Sequence, residues 1–304
     1  MPEHDRTFDP HYGEAVEVAP GVRRLTARNP GPFTFHGTNT FLVGSGPVAV
    51  IDPGPDDPAH VAAILAAAGP AGVSHILVTH THLDHSPAAR ALAAATGAPV
   101  YGEGPHRPAR APRPGRTLGL DASGDLAFRP DVVLRDGDRV AGDGWAIEAV
   151  ATPGHAANHL AFALGGTDIL FSGDHVMAWS TTIVAPPDGA MADYLASLDR
   201  LLARPESVYL PAHGGPQREA HAYVAALKAH RAAREAAVLA RLGAGDRTLA
   251  DLVDAIYAGL DPALKPAAAL SVLAHLDHLV ERGLVGEDHP ALATGGTATE
   301  SPQE

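Results

Sequence analysis

Ile76-Leu77-Val78-Thr79-His80-Thr81-His82-Leu83-Asp84-His85-Ser86-Pro87 is the stretch on which the reading of this chain turns. Ile76-Leu77-Val78 is an apolar run, too short for a helix and stopped by polar residues, so it reads as a buried strand. Ser86-Pro87 opens a helical pattern, with Ser86 as the expected N-cap and Pro87 at the first helical position. Between them, three histidines and one aspartate fall within six residues on a strand-to-helix loop. His80 and His82 are two apart, so extended backbone points both the same way, where they can bind one metal ion. Asp84 and His85 follow as the chain bends and can reach a second ion. Single histidines are usually surface or core residues. Four ligand-type side chains at one strand end are instead a metal-site hypothesis that the rest of the chain must support.

That support lies downstream. His155 in Thr152-Pro153-Gly154-His155, Asp174 in Ser172-Gly173-Asp174 and His213 in Pro211-Ala212-His213-Gly214 each follow a strand candidate. The order H-x-H-x-D-H, then H, D and H, resembles the metallo-β-lactamase superfamily at every ligand position. The resemblance implies an α/β (α+β) chain folded as an αββα sandwich. It also implies two divalent metal ions. His80, His82 and His155 suit one ion, Asp84, His85 and His213 suit the other, and Asp174 bridges them. Imidazoles and carboxylates suit zinc first, with iron or manganese as alternatives. The expected chemistry is hydrolysis by a metal-bridging hydroxide. Asp84 is expected to orient or deprotonate the nucleophile as well as bind metal. His159 is a candidate leaving-group donor or a support behind the ligands. Asp52, in Asp52-Pro53-Gly54, matches an aspartate that supports the metal loop in the superfamily.

Composition bounds the rest. A chain of 304 residues with 45% hydrophobic and 19% charged residues can build one sizeable core and a smaller second one. It has no cysteine, so disulfides and thiolate metal sites are excluded. The net charge of −13 disfavours a broad nucleic-acid surface. Met1-Pro2-Glu3-His4-Asp5 carries no signal-like segment and no apolar run reaches membrane length, so the cytoplasm is the expected location and no membrane partner is expected.

Taken in order, Val16 to Asp52 reads as β structure, with Gly44-Ser45-Gly46-Pro47 as a hairpin. The loop from Asn29 to Thr40 carries Phe33, Phe35 and His36 as candidate substrate contacts, together with Trp179. Helices are expected over Pro58 to Ala68 and Pro87 to Thr96. The Arg/Pro-rich segment 106–116 holds Arg107, Arg110, Arg113 and Arg116, and Arg107 and Arg110 are candidate phosphate contacts. Strands follow at Val132 to Leu134, Trp145 to Val150, Leu160 to Leu164, Ile169 to Phe171 and Val208 to Leu210, with a helix over Tyr194 to Leu202. From Arg218 the chain turns helical and Ala-rich. Leu270, Leu273, Leu276 and Leu279 fall at helical spacing, and Gly283-Leu284-Val285-Gly286 reads as a short wing strand. The expected domains are 1–217 (catalytic), 218–288 (winged-helix-like) and 289–304 (disordered tail). Eight basic against ten acidic residues in the second make a double-stranded DNA partner unexpected.

Asn29-Pro30-Gly31-Pro32, Gly37 to Gly44, Thr79 to His85, Thr152 to His155, Ser172 to Asp174 and Thr181-Thr182, with the helical tail, bring the chain close to the β-lactamase-like protein 2 family. That likeness implies a phosphodiesterase of the endoribonuclease type acting on single-stranded RNA. The alternative is a thioester or lactone hydrolase of the glyoxalase II type acting on a small molecule. Asp174 argues against a true β-lactamase, because the resemblance implies that those enzymes usually lack an aspartate bridge there. The intact ligand set argues against a non-catalytic binding protein. Self-association to a homo-oligomer is left open.

Overall fold

Val48-Ala49-Val50-Ile51 shows why the chain makes two layers. Ala49 and Ile51 face one core while Val48 and Val50 face another, so this strand is buried on both sides. The same alternation places Leu160, Phe162 and Leu164 against the first core and Ala161 and Ala163 against a third. Period-two strands without a polar face need a layer on each side.

The computed structural model describes residues 3–111 and 123–292. Strands β1 (Val16–Ala19), β2 (Val22–Thr26), β3 (Asn39–Val43), β4 (Val48–Ile51), β5 (Val73–Leu77), β6 (Val100–Gly102) and β7 (Val132–Val133) form one sheet, neighbours in that order. Strands β8 (Arg139–Gly142), β9 (Trp145–Ala151), β10 (Leu160–Leu164), β11 (Ile169–Gly173) and β12 (Val208–Pro211) form the second, ordered β12-β11-β10-β9-β8. β3 and β4 make the expected antiparallel hairpin, Phe41 opposite Ile51. Phe41, Ile51, Ile147, Phe162, Phe171 and Leu210 fill the space between the sheets. Helices α1 (Pro58–Ala68) and α2 (Ala88–Thr96) cover the outer face of the first sheet. α3 (Met191–Leu202) and the first half of α4 (Ala220–Gly243) cover that of the second. This is the αββα sandwich.

Beyond it, α5 (Leu249–Ile256), α6 (Lys265–Glu281) and the far half of α4 close a smaller core around Val238, Leu252, Leu273, Leu276 and Leu279. Thr248 opens α5 with a reciprocal capping box to Asp251.

Three local expectations are corrected. Pro87, not Ser86, sits at the N-cap of α2, because the Ser86 hydroxyl donates to Asp125 Oδ2 (2.9 Å) instead. No strand forms at Gly283-Leu284-Val285-Gly286, where Gly283 has φ 68° and the residues join neither sheet. The first residues of the expected tail pack instead, with Ala291 and Leu292 buried in the C-terminal core. Arg113, Arg116 and residues 293–304 lie outside the described residues. No helix among the described residues is long and apolar enough to cross a membrane.

Candidate metal centre

Each ligand candidate leaves the carboxyl end of a strand. β5 delivers His80, His82, Asp84 and His85; β9, β11 and β12 deliver His155, Asp174 and His213. At one edge of the sandwich these seven residues converge. His80 Nε2 and His155 Nε2 each lie 3.0 Å from His82 Nδ1. Beside this triad, Asp84 Oδ2 is 3.3 Å from His85 Nε2 and 3.2 Å from His213 Nε2. Asp174 spans the two: Oδ2 is 3.6 Å from His85 Nε2 and 3.7 Å from His155 Nε2, and Oδ1 is 3.3 Å from His213 Nε2.

The outward nitrogens explain the inward ones. His80 Nδ1 meets Thr79 Oγ1 (3.0 Å), His85 Nδ1 donates to Asp52 Oδ2 (3.0 Å), His155 Nδ1 to the Ile183 carbonyl (2.6 Å) and His213 Nδ1 to the Gly37 carbonyl (3.2 Å). With Nδ1 engaged behind, each of these four rings turns Nε2 to the centre, the nitrogen a metal would take in place of any proton there. Asp52 also accepts from the Thr79 backbone N–H and hydroxyl, both at 2.8 Å, and fastens the start of the loop. It sits at φ 50°, a left-handed conformation that aspartate tolerates better than most residues.

Electrostatics divides the cluster. Burial and the neighbouring rings hold His80 well below its usual value and lower His155 to about 4, so these rings are neutral. Burial alone would also lower His213, but Asp174 and Asp84 push it up to about 10; His85 is raised by Asp84, Asp174 and Asp52 against the same burial. Both carboxylates, opposed by burial, are held ionised by His85 and His213. His85 Nε2, His213 Nε2 and Asp174 Oδ1 are buried without a hydrogen-bond partner. Converging lone pairs and orphaned buried atoms are costly unless a cation satisfies them. His80, His82 and His155, and separately Asp84, His85 and His213, offer donor atoms close enough together to share an ion. The donor set therefore fits a divalent metal centre, with Asp174 lying between the two groups of ligands.

The other sequence candidates divide. His159 is almost wholly buried; its Nδ1 meets Thr152 Oγ1 (2.8 Å) and its Nε2 accepts from the Asp174 backbone N–H (3.2 Å). Of the two roles expected for it, this placement is that of a support behind the ligands, holding the backbone of Asp174. Phe35 stacks on Trp179, centroids 4.7 Å apart and planes within 8°, with the His36 ring against its edge. Their loop backs the second triad through Gly37 and through Thr38 Oγ1, which lies 3.5 Å from Asp84 Oδ2. Phe33 is 54% exposed at its tip. Arg107 is held by Glu103 (2.7 Å), and Arg110 by Asp193 (2.8 and 3.0 Å) and Glu281 (2.9 Å), so the expected phosphate contacts are neutralised by acids. Sequence reasoning missed Asp188 and His106, which stand behind His82. Pro186-Pro187-Asp188-Gly189 looks like an ordinary turn, and only the fold brings it there.

Comparison with known proteins agrees with this geometry. Residues 33–213 match the family model described as metallo-beta-lactamase superfamily, and residues 248–290 match the beta-lactamase associated winged helix domain. A beta-lactamase-like protein 2 homolog from Caenorhabditis elegans is 27% identical over 288 residues, covering 92% of this chain and 90% of that one. The atrochrysone carboxyl ACP thioesterase dmxR1 of Cryptosporiopsis sp. is 28% identical over 208 residues, 67% of this chain and 58% of its own length. Among solved structures, a beta-lactamase domain protein from Burkholderia ambifaria superposes with a TM-score of 0.75 at 26% identity, covering 93% of this chain and 92% of that one. The chain belongs to the metallo-beta-lactamase superfamily of hydrolases and carries the winged helix domain associated with it.

Proposed function

We propose that this hydrolase acts on an acyl compound, a thioester or ester, with two zinc ions as its metals. The observation that carries the reading is the surface around the ligand loop. Leu83, between His82 and Asp84, is 45% exposed and Phe33 is 54% exposed, while Arg107 and Arg110 are tied to acids. A phosphodiester site needs cationic groups free to meet phosphate oxygens. An acyl site needs an apolar rim and a few polar groups that fix orientation. The thioesterase name of one relative is consistent with the second kind.

Bound zinc would supply a water that is acidic at neutral pH and a Lewis acid for the carbonyl oxygen. The chain's own part is placement. Asp84 is the most open of the carboxylates at 26% side-chain exposure, and His85 and His213 keep it ionised, ready to orient a water and accept its proton. His159 and Thr182 hold the backbone of Asp174 on either side, Thr182 Oγ1 donating to the Asp174 carbonyl at 2.7 Å. In the net reaction water oxygen bonds to the acyl carbon, the carbon–sulfur or carbon–oxygen bond breaks, and the leaving thiol or alcohol takes the proton.

The test is a turnover panel on the zinc-loaded protein: acyl thioesters, an aryl ester, a lactone, an aryl phosphodiester, single-stranded RNA and a β-lactam, with His82→Ala to exclude contaminants. The thioester or ester is expected to turn over fastest. Faster cleavage of the phosphodiester or RNA, lost in His82→Ala, would replace this reading with the nuclease one.

A further inference from the structure

Four of the five ligand histidines point Nε2 inward, but His82 is reversed. Its Nδ1 lies 3.0 Å from both His80 Nε2 and His155 Nε2, so Nδ1 is its ligand atom. To keep that lone pair free, the proton must sit on Nε2, and a group is needed to hold it there. Asp188 Oδ2 is 3.5 Å from His82 Nε2; both atoms are buried and neither has another hydrogen-bond partner. Asp188 is 5% exposed, and its other oxygen lies 3.4 Å from His106 Nε2. His106 Nδ1 in turn meets Thr81 Oγ1 at 3.0 Å, and Asn158 Nδ2 donates to the same hydroxyl at 2.9 Å. Thr81 and His82 are adjacent, so the chain of contacts closes on the metal loop itself.

The loop that carries Asp188 is itself fixed. Ala109 N–H donates to the Pro187 carbonyl at 2.7 Å, and Ala190 N–H to the Gly154 carbonyl at 2.9 Å. A Cβ on Gly189 would lie 2.5 Å from the Gly154 carbonyl oxygen and 2.7 Å from that of His155, so only glycine lets the loop press against the His155 turn.

We propose that Asp188 is the positioning residue of the three-histidine metal site: it fixes His82 as the Nε2–H tautomer, with His106 holding Asp188 in place. The inference rests on the metal-centre reading and is independent of which substrate is cut. It makes the His80–His82–His155 site depend on Asp188, while the Asp84–His85–His213 site does not touch it.

The experiment is a zinc titration of the full chain under chelator competition, with bound metal counted by elemental analysis. Unaltered protein is expected to take up two zinc ions. Asp188→Ala is expected to weaken one of the two by about 10- to 100-fold, the range usual for loss of a ligand's outer carboxylate. Asp188→Asn keeps an acceptor oxygen and should recover most of that loss, and His106→Ala should fall between. A purely structural role predicts a lower melting temperature of the metal-free protein with both zinc affinities unchanged, or both weakened alike. Either result overturns the proposal, as does equal affinity in the alanine and asparagine variants. Failure of the unaltered chain to bind zinc would overturn the metal-centre reading along with it. Slow turnover of every acyl substrate, with the zinc results as expected, would overturn only the choice of substrate.

Discussion

Asp52 combines a left-handed backbone with three accepted hydrogen bonds, two from Thr79 and one from His85. Asp52→Ala removes the acceptor that keeps His85 Nε2 facing the centre and frees the start of the loop. Metal affinity is expected to fall by about 10- to 100-fold, measured by chelator competition, with little change in helix content by circular dichroism. At this scale the site was readable as far as its ligands, because each follows an apolar strand run and carries a metal-binding side chain. His82 was readable as a ligand but not as the reversed one. Its orientation is set by Asp188, which arrives from a distant loop that local pattern marks only as a turn. The pairing of the arginines was hidden for the mirror reason: Arg110 is basic in sequence, but Asp193 and Glu281 are placed against it only by folding.

At the scale of elements, α4 reaches the centre through one side chain. Arg231 is buried, lies over the Tyr194 ring and donates to the Thr182 carbonyl, while the Thr182 hydroxyl holds the Asp174 carbonyl. Arg231→Met keeps the stem and removes the donor. Loss of a buried hydrogen bond from a charged group is worth about 1.5–3 kcal/mol. Turnover is expected to drop roughly tenfold as Asp174 loosens, a step of about 1.4 kcal/mol in the barrier, with the far-ultraviolet spectrum unchanged. The cap of α5 gives the contrasting case. Thr248→Ala is expected to cost about 1 kcal/mol in denaturant unfolding and to leave turnover unaltered. Helices and strands were legible because their apolar periods are strong. The wing strand was not realised because Leu284 is half exposed and has no partner strand to complete a ladder.

For the whole molecule, buried neutral histidines contribute to the response to acid. His60 is lowered to about 4 by burial, and His275 to about 3 by burial and the nearby Arg231. The unfolded chain takes up these protons near pH 6.5, whereas the folded one resists until pH 3 to 4. Unfolding therefore binds protons, and this part of the stability is complete above pH 6.5 and is lost as pH falls below it. Each such group contributes up to about 1.4 kcal/mol per pH unit across that window. His275, whose ring nitrogens have no partner, is the cleaner probe. His275→Leu is expected to flatten the fall in stability between pH 6 and 4, read from denaturant midpoints at several pH values. An unchanged slope would exclude His275 as a source of acid sensitivity.

The two family matches leave α4 between them, the first stopping at His213 and the second beginning at Thr248. Yet Tyr223, Val224 and Leu227 belong to the core under the second sheet, and Val238 to the C-terminal core. The natural seam for exchanging tails among relatives therefore does not fall in the unmatched gap. A recombinant joined just after His213 would inherit a foreign helix against Tyr194 and Leu198, and one joined just before Thr248 would inherit a foreign partner for Val238. α4 belongs to both cores at once, so a change along it is felt in the sandwich and in the tail alike.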